Sequence, residues 1–237
     1  MTLAVWRTEW LMALRRRRLF LFNILIPLTF VATIALSSAP AVHAAAVFTV
    51  LFALFGTFGS SIPLVRDGES GLLRRYVLTG VHPGVLLLQR VSATAAIDLI
   101  ELAPTVLVIA VVRGSSASQL VIVVLAMVIG LLAANSLGAL SAAFAKSVAE
   151  AALFSAAAAL LVLHWAGTFR TPVSGTWQAI LEMLNPFRPL HESLLAAAGA
   201  GAPDVAPALF VVPIGTTLLV LLLLTVAGRY TMGLGGR

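Results

Sequence analysis

Long apolar blocks alternate with short polar segments along the whole chain. Each block is near 20 residues long, about the length of helix needed to cross the hydrocarbon core of a bilayer. Together the blocks exceed what one water-soluble core of a chain this size could bury. The pattern predicts six membrane-spanning helices, over residues 19–38, 43–65, 87–112, 117–144, 147–167 and 206–228.

The composition agrees with this interpretation. Of the 237 residues, 60% are hydrophobic and only 10% are charged, whereas a soluble domain carries roughly 25% charged residues. This balance excludes a water-soluble globular enzyme. Because the chain has no cysteine, it has no disulfide, no thiolate nucleophile and no cysteine metal site. We therefore predict an all-α membrane protein with a single transmembrane domain over residues 1–237.

The 15 Lys and Arg residues divide unequally between the two sides of the predicted bundle. Twelve of them fall on one side, and only Arg113, Arg170 and Arg188 fall on the other. By the positive-inside rule, the side with more positive charge is cytoplasmic. Both termini and the loop over residues 66–86 are therefore predicted to be cytoplasmic. The net charge of +6 indicates membrane topology and not binding to nucleic acid.

The segment before the first predicted span has the pattern of an amphipathic helix over residues 3–18. Glu9, Arg15 and Arg16 lie away from its apolar face. Such a helix lies in the membrane interface, although an ordinary basic anchor before a first span has a similar pattern. The predicted apolar face consists of Leu3, Trp6, Trp10 and Leu14.

The same N-terminal region also imitates a signal peptide, with arginines at 15–18, an apolar stretch and small residues around His43. The apolar stretch is longer than the ~7–15 residues of a usual signal core. We therefore expect it to be retained as the first span.

The cytoplasmic loop over residues 66–86 is predicted to contain a short helix. Ser70 can cap its start, and Gly80 with Pro83 can end it. An apolar face on so short a helix is typical of a segment that docks into a groove of another protein, or of a solvated helix on lipid headgroups. This face consists of Leu72, Leu73, Tyr76 and Val77.

On the opposite side, residues 168–205 are predicted to form two short helices. Asn185 can accept a hydrogen bond from a free backbone amide, and Pro186 suits the first helical position. The second helix should end near Gly199. Each helix is too short to cross a bilayer, so we expect an external re-entrant hairpin or a pair that lies flat on the outer leaflet.

Asp98 and Glu101 are the most unusual polar residues, because both lie inside the third predicted span on one helix face. They lie about 12 Å and about 17 Å along the helix from Arg90. An ionised carboxylate at this depth costs about 2.5–3.5 kcal/mol on insertion scales. The pair is therefore either a translocation-path patch for a positively charged amphiphile or a polar contact within the bundle. Candidate partners within the bundle are Ser92, Thr94 and His164.

Two further patterns concern packing and metal binding. Small residues recur every four positions, at Gly56 and Ser60 and again at Ala134, Gly138 and Ala142, and would allow helices to approach closely. The histidines have no carboxylate or thiol partners at ligand spacing, so we predict no metal site.

Several segments, in this order, resemble the permease subunits of type-2 ATP-binding-cassette (ABC-2) exporters, the group with daunorubicin-type drug exporters and polysaccharide exporters. They are the amphipathic leader that ends at residues 15–18, Ile26-Pro27, the loop over 66–79, and Asn185-Pro186. The resemblance implies a six-helix unit with an N-terminal elbow helix, working as a dimer beside two cytoplasmic ATPase subunits. It also implies ATPase-coupling residues, for which the candidates are Glu69, Gly71, Leu72, Arg75 and Tyr76.

The sequence has no Gly-x-x-x-x-Gly-Lys-Ser/Thr phosphate loop. Energy must therefore come from another chain, and ATP and Mg belong to the partner ATPase and not to a cofactor site here. We expect a permease that is not itself an enzyme, in the bacterial plasma membrane. It would move an amphipathic drug-like or lipid-linked substrate outward.

Three alternatives remain open at this point. One is a purely structural membrane anchor, which would leave the loop over residues 66–86 unexplained. A haem-export-type permease also has six spans and an acidic loop, but Asn185-Pro186 and the long external hairpin argue against it. An intramembrane enzyme would use Asp98 and Glu101 as acid and base, yet no second motif that could hold a substrate is present.

Overall fold

The computed structural model describes residues 3–37, 39–169, 177–200 and 208–226, and within these ranges every regular element is a helix. The predicted all-α membrane protein is confirmed. Arg170, Arg229, Arg237 and the parts of the predicted hairpin at 170–176 and 201–207 lie outside the described residues. The helices are α1 (Leu3–Arg15), α2 (Arg17–Leu36), α3 (Ala41–Glu69), α4 (Leu72–Leu78), α5 (Pro83–Arg113), α6 (Ala117–Phe144), α7 (Val148–His164), α8 (Trp177–Leu184), α9 (Arg188–Ala197) and α10 (Ala208–Val226).

In the part of the chain that the structure describes, five helices are long and apolar enough to cross a membrane: α2, α3, α5, α6 and α10. The fifth predicted span, 147–167, corresponds to α7, an apolar helix of 17 residues, which is at the short limit for crossing a bilayer. Two helices extend beyond the spans that were predicted within them. α3 continues to Glu69 and α5 begins at Pro83, so both ends of the predicted loop over 66–86 are helical.

The centre of the bundle is the contact between α3 and α6. A Cβ atom on Gly56 would lie 2.6 Å from the Cβ of Ala134, and one on Gly138 would collide with the backbone oxygen of Thr57. The two helix backbones are therefore nearly in contact, as the small-residue spacing predicts. The core beside them includes Phe52, whose ring packs edge-on against the ring of Phe187 at a centroid distance of 6.4 Å.

The interfacial helix α1 packs against α5. Trp6 Nε1 donates a hydrogen bond to Ser92 Oγ at 3.2 Å, and Val5 is buried. The predicted faces of this helix were partly wrong. Leu14 is exposed, and Glu9 turns inward to bind Arg90, because a buried guanidinium on α5 needs a carboxylate partner.

The short helix α4 follows α3 after a tight turn. Ser70 does not cap α4 as predicted, because it is the C-cap of α3 and its hydroxyl donates to the backbone oxygen of Asp67. Gly71 precedes α4 with a φ of 71°, a left-handed conformation that favours glycine. Gly80 then ends α4 with a φ of 86°, and Pro83 begins α5.

The helix α9, in the predicted hairpin, begins differently from the prediction. Asn185 Oδ1 accepts the backbone N–H of Phe187 at 2.9 Å, as expected, but Pro186 lies in a turn and α9 begins at Arg188. The proline within the first turn of α9 is Pro189. At the other end of α9, Ser115 Oγ donates to the backbone oxygen of Ala197 at 2.6 Å, which ties the hairpin to the turn between α5 and α6.

Candidate functional site

A cavity of about 220 Å³ lies beneath α1, with walls from α1, α2, α3 and α5. Its polar lining is mostly charged, which is costly at membrane depth and needs a structural or functional reason. Asp98 and Glu101 lie together at its deep end. We call the other end of the cavity the mouth. The mouth is lined by Glu9, Arg16, Arg66, Asp67 and Arg90.

At the deep end, a chain of hydrogen bonds connects three helices. Asn135 Nδ2 on α6 donates to Asp98 Oδ2 at 2.8 Å. Ser60 Oγ on α3 in turn donates to Asn135 Oδ1 at 2.5 Å. All three side chains are buried, so this network fixes the position of the Asp98 carboxyl group.

Glu101 has a separate partner on the first span. Asn23 Nδ2 on α2 donates to Glu101 Oε2 at 2.9 Å. The bundle partners predicted from sequence are wrong, because Ser92 accepts from Trp6, and neither Thr94 nor His164 bonds to either carboxyl. Sequence reasoning missed Asn23, although an amide within an apolar span is itself a signal that a polar partner is near.

Each carboxyl group keeps one oxygen free of protein donors. Among the described residues, hydrogen bonds reach Oδ2 of Asp98 and Oε2 of Glu101 and leave Oδ1 and Oε1 without a donor. Both side chains line the cavity. Each carboxyl group can therefore link two helices through one oxygen and accept a hydrogen bond from a molecule inside the cavity through the other.

The mouth of the cavity is built around Arg90, which is 5% exposed. Its Nε lies 3.0 Å from Glu9 Oε1 on α1, and its Nη2 lies 2.5 Å from Asp67 Oδ2 on α3. We call these three residues the arginine triad. It joins the interfacial helix, α3 and α5 at one point.

From the sequence, Arg90 is expected to be a topology signal, and the triad is not predicted. The signal was present, because Arg90 lies inside the predicted span 87–112 and a charge there needs a partner. The partner could not be identified from the same pattern. Burial raises the pKa of Glu9 above its ordinary value, against the opposing effect of Arg90.

The predicted ATPase-coupling residues lie on or beside α4. Glu69 and Arg75 are exposed, while Gly71, Leu72 and Tyr76 are partly exposed. Leu73, predicted to face a partner, is buried among Leu64, Leu86 and Leu87 of this chain. Leu78, which was not predicted, is 77% exposed at the end of the helix.

In the hairpin, Asn185 does more than begin a helix, because its Nδ2 also donates to the backbone oxygen of Val162 on α7 at 2.6 Å. His191 on α9 is buried with its Nδ1 3.5 Å from Thr49 Oγ1. Burial lowers the pKa of His191 to about 4, so this imidazole is neutral at pH 7. Asn185 and His191 lie far from the cavity beneath α1 and serve to hold the hairpin.

Within the described ranges, no group of three or more His, Asp or Glu side chains is placed to hold a metal ion. The residues that line the cavity offer hydrogen bonds and charge, which suit recognition of a polar or charged group.

A comparison with protein families decides the class. The profile described as "ABC-2 type transporter" matches residues 2–199, from the interfacial helix through the end of α9. The chain belongs to the ABC-2 type transporter family. No individual curated protein matches it.

As an ABC-2 permease, the chain is a multi-pass membrane component of a transporter and works with an ATP-binding-cassette ATPase. The resemblance found in the sequence is confirmed at the level of the family. Membrane components of this class are generally not catalytic themselves, which agrees with the prediction that another chain supplies the energy.

Proposed function

We propose that this ABC-2 permease exports an amphipathic drug-like or lipid-linked molecule, using ATP hydrolysed by a separate subunit. The observation that carries the proposal is the cavity beneath α1. Its deep end offers one free oxygen each from Asp98 and Glu101 at the level of the membrane spans. Such a site suits an amphiphile with a positively charged group.

The distribution of charge supports outward movement. The mouth of the cavity lies beside Arg16 and Arg66, on the positively charged side of the molecule, which the positive-inside rule assigns to the cytoplasm. A substrate in the cytoplasmic leaflet would therefore meet the mouth first. In this orientation both termini are cytoplasmic. We assign the membrane as the bacterial plasma membrane.

The partner ATPase would dock on α4 and the end of α3, through Glu69, Leu72, Arg75 and Tyr76, with Gly71 shaping the turn. These residues lie next to the triad, because Asp67 is two residues before Glu69 on the same helix. Movement of α4 would therefore be transmitted to the mouth through Asp67 and Arg90.

A second permease copy is expected beside the first. Several long apolar side chains on α2 and α7 are exposed, including Phe22, Phe30, Leu153 and Leu160. These faces would contact the second copy or membrane lipid, since exposed apolar surface on a membrane helix needs one of these neighbours.

The role of the deep end is tested with the paired variant Asp98→Asn with Glu101→Gln. Both changes remove charge and keep size, so the permease is expected to fold. In proteoliposomes with its ATPase, ATP-driven transport of a cationic amphiphile should fall by about tenfold or more, as expected for one lost charge contact.

The matched control is Glu192→Gln, which removes an exposed charge from α9 and should leave transport unchanged. Unchanged assembly and unchanged transport of every cationic amphiphile in the paired variant would show that Asp98 and Glu101 only hold the bundle.

Copurification separates the proposal from its alternatives. An exporter should retain a cytoplasmic ATPase when the intact complex is purified in mild detergent. Lipid-modifying activity without a bound ATPase would support the intramembrane enzyme, and a haem absorption spectrum would support the haem-export-type permease.

A further inference from the structure

The mouth of the cavity contains more positive than negative groups. Arg16 comes from the joint between α1 and α2, Arg66 from α3, and Arg90 from α5. Opposite these three guanidinium groups are the carboxyl groups of Glu9 and Asp67. The mouth therefore keeps one positive charge even when both carboxyl groups are ionised.

Arg90 is not fully satisfied by the triad. Its Nε and Nη2 bind carboxylates, but its Nη1 is buried and has no hydrogen-bond partner among the described residues. A buried donor on a charged group is costly when it is left unpaired. Because Arg90 lines the cavity, an acceptor placed in the mouth could satisfy this donor.

The acceptor that fits this mouth is a phosphodiester. It carries one negative charge, which matches the remaining positive charge, and guanidinium groups bind phosphate through paired hydrogen bonds. The carboxyl groups of Asp98 and Glu101 would not repel the phosphate strongly. Asp98 lies about 12 Å from Arg90 along the axis of α5, and Glu101 lies further still.

The neighbouring surface indicates a lipid as the source of this phosphate. Residues 15–18 are four consecutive exposed arginines, and the next turn of α2 exposes Leu19, Leu21 and Phe22. Basic residues immediately before an apolar span attract anionic headgroups. The apolar side chains below them can contact acyl chains, which a free phosphate ion lacks.

We propose that Arg16, Arg66 and Arg90 bind the headgroup phosphate of an anionic phospholipid at the mouth of the cavity. The proposal rests on the cytoplasmic orientation of the mouth given under the proposed function. The bound lipid contacts the triad. Lipid binding therefore acts on the same residues through which α4 is connected to the mouth of the cavity.

The test is native mass spectrometry of the purified full-length permease with phosphatidylglycerol or phosphatidylcholine. We expect the wild-type protein to retain phosphatidylglycerol in preference to phosphatidylcholine, because phosphatidylglycerol carries a net negative charge and phosphatidylcholine is zwitterionic. The double variant R16Q/R66Q should bind phosphatidylglycerol about tenfold more weakly or worse, since each basic residue near anionic lipid adds severalfold to affinity.

The matched control is R7Q/K146Q, which removes the same charge from exposed basic residues that neither line the cavity nor belong to the arginine cluster at 15–18. It should lower affinity by less than about threefold. Equal losses in the two double variants would overturn the proposal, because attraction would then be diffuse. Inorganic phosphate that competes as well as the lipid does would overturn the lipid as its source.

A folding defect in R16Q/R66Q would be detected by gel filtration, and the single variants R66Q and K146Q would then replace the two pairs. Capture of the ATPase is measured on the same samples. Loss of the lipid preference with ATPase capture intact overturns only this inference, whereas loss of ATPase capture by the wild-type permease overturns the proposed function.

Discussion

The guanidinium of Arg90 joins three helices. Its guanidinium is withdrawn from water, and both of its carboxylate partners are largely buried, with side-chain exposures of 15% for Glu9 and 19% for Asp67. Removal of one member of such a group leaves the others charged and unpaired, which costs more than the intact group contributes.

We expect Arg90→Met to destabilise the permease strongly, by about 3–5 kcal/mol. The apparent melting temperature in detergent, followed by tryptophan fluorescence, should fall by roughly 10 °C. The control is Arg188→Met, which breaks a half-exposed pair with Glu192 at 4.0 Å. Surface pairs contribute about 0–1 kcal/mol, so a similar fall in both variants would contradict the role given to the triad.

At this scale the sequence was informative about which residues need partners, but not about which partners they have. Asp98 and Glu101 were singled out because charge in a span is costly. Asn23 and Asn135 could not be assigned to them, because hydropathy along one helix does not show which helix lies next to it. Glu9 was assigned to the outward face for the same reason.

At the scale of the elements, α3 and α6 approach each other closely at two glycines, Gly56 and Gly138. The Cβ position of Gly138 coincides with backbone atoms of Thr57 and not with a flexible side chain. An added methyl group cannot be accommodated by a rotamer change, so the two helices would have to separate.

The expected result for Gly138→Ala is a loss of about 1–3 kcal/mol, as for other overpacked sites. The matched control is Gly215→Ala in α10, where an added Cβ meets open space. That change should be neutral or stabilise the helix, because alanine has the higher helix propensity. The melting temperature in detergent should therefore fall for Gly138→Ala and stay level or rise for Gly215→Ala. A Gly138→Ala protein as stable as the wild type would rule out the close contact.

The long helices were predictable because a bilayer demands about 20 apolar residues for each crossing. Their true ends were not, since α3 continues through Arg66, Asp67 and Glu69 after leaving its apolar stretch, and a helix that enters water has no hydropathy signature. Ser70 was misplaced for a related reason, because the same residue type suits several positions at a helix boundary.

The whole molecule has two chemically different ends. One carries α1, α4 and the mouth of the cavity, and the other carries the hairpin, which Ser115 ties to the turn between α5 and α6. The proposed orientation places the first end in the cytoplasm.

Single cysteines test this orientation cleanly, because the chain has none of its own. In intact cells, a membrane-impermeant maleimide should label Glu192→Cys and spare Arg74→Cys. The pattern should reverse in inverted vesicles, where the cytoplasmic face is outward. Labelling of both positions from the same side would rule out the topology and, with it, the assignment of α4 to the ATPase.

The length of α3 has a mechanical consequence. Its 29 residues span about 43 Å, so the helix extends from its junction with α4 past the deep end of the cavity. Pro63 lies inside it and has no N–H to offer the carbonyl of Gly59, the residue whose Cβ position is 3.3 Å from Asp98 Oδ2. α3 therefore lacks one backbone hydrogen bond at the depth of Asp98 and Glu101. We expect a force on the end of α3 next to α4 to bend the helix there.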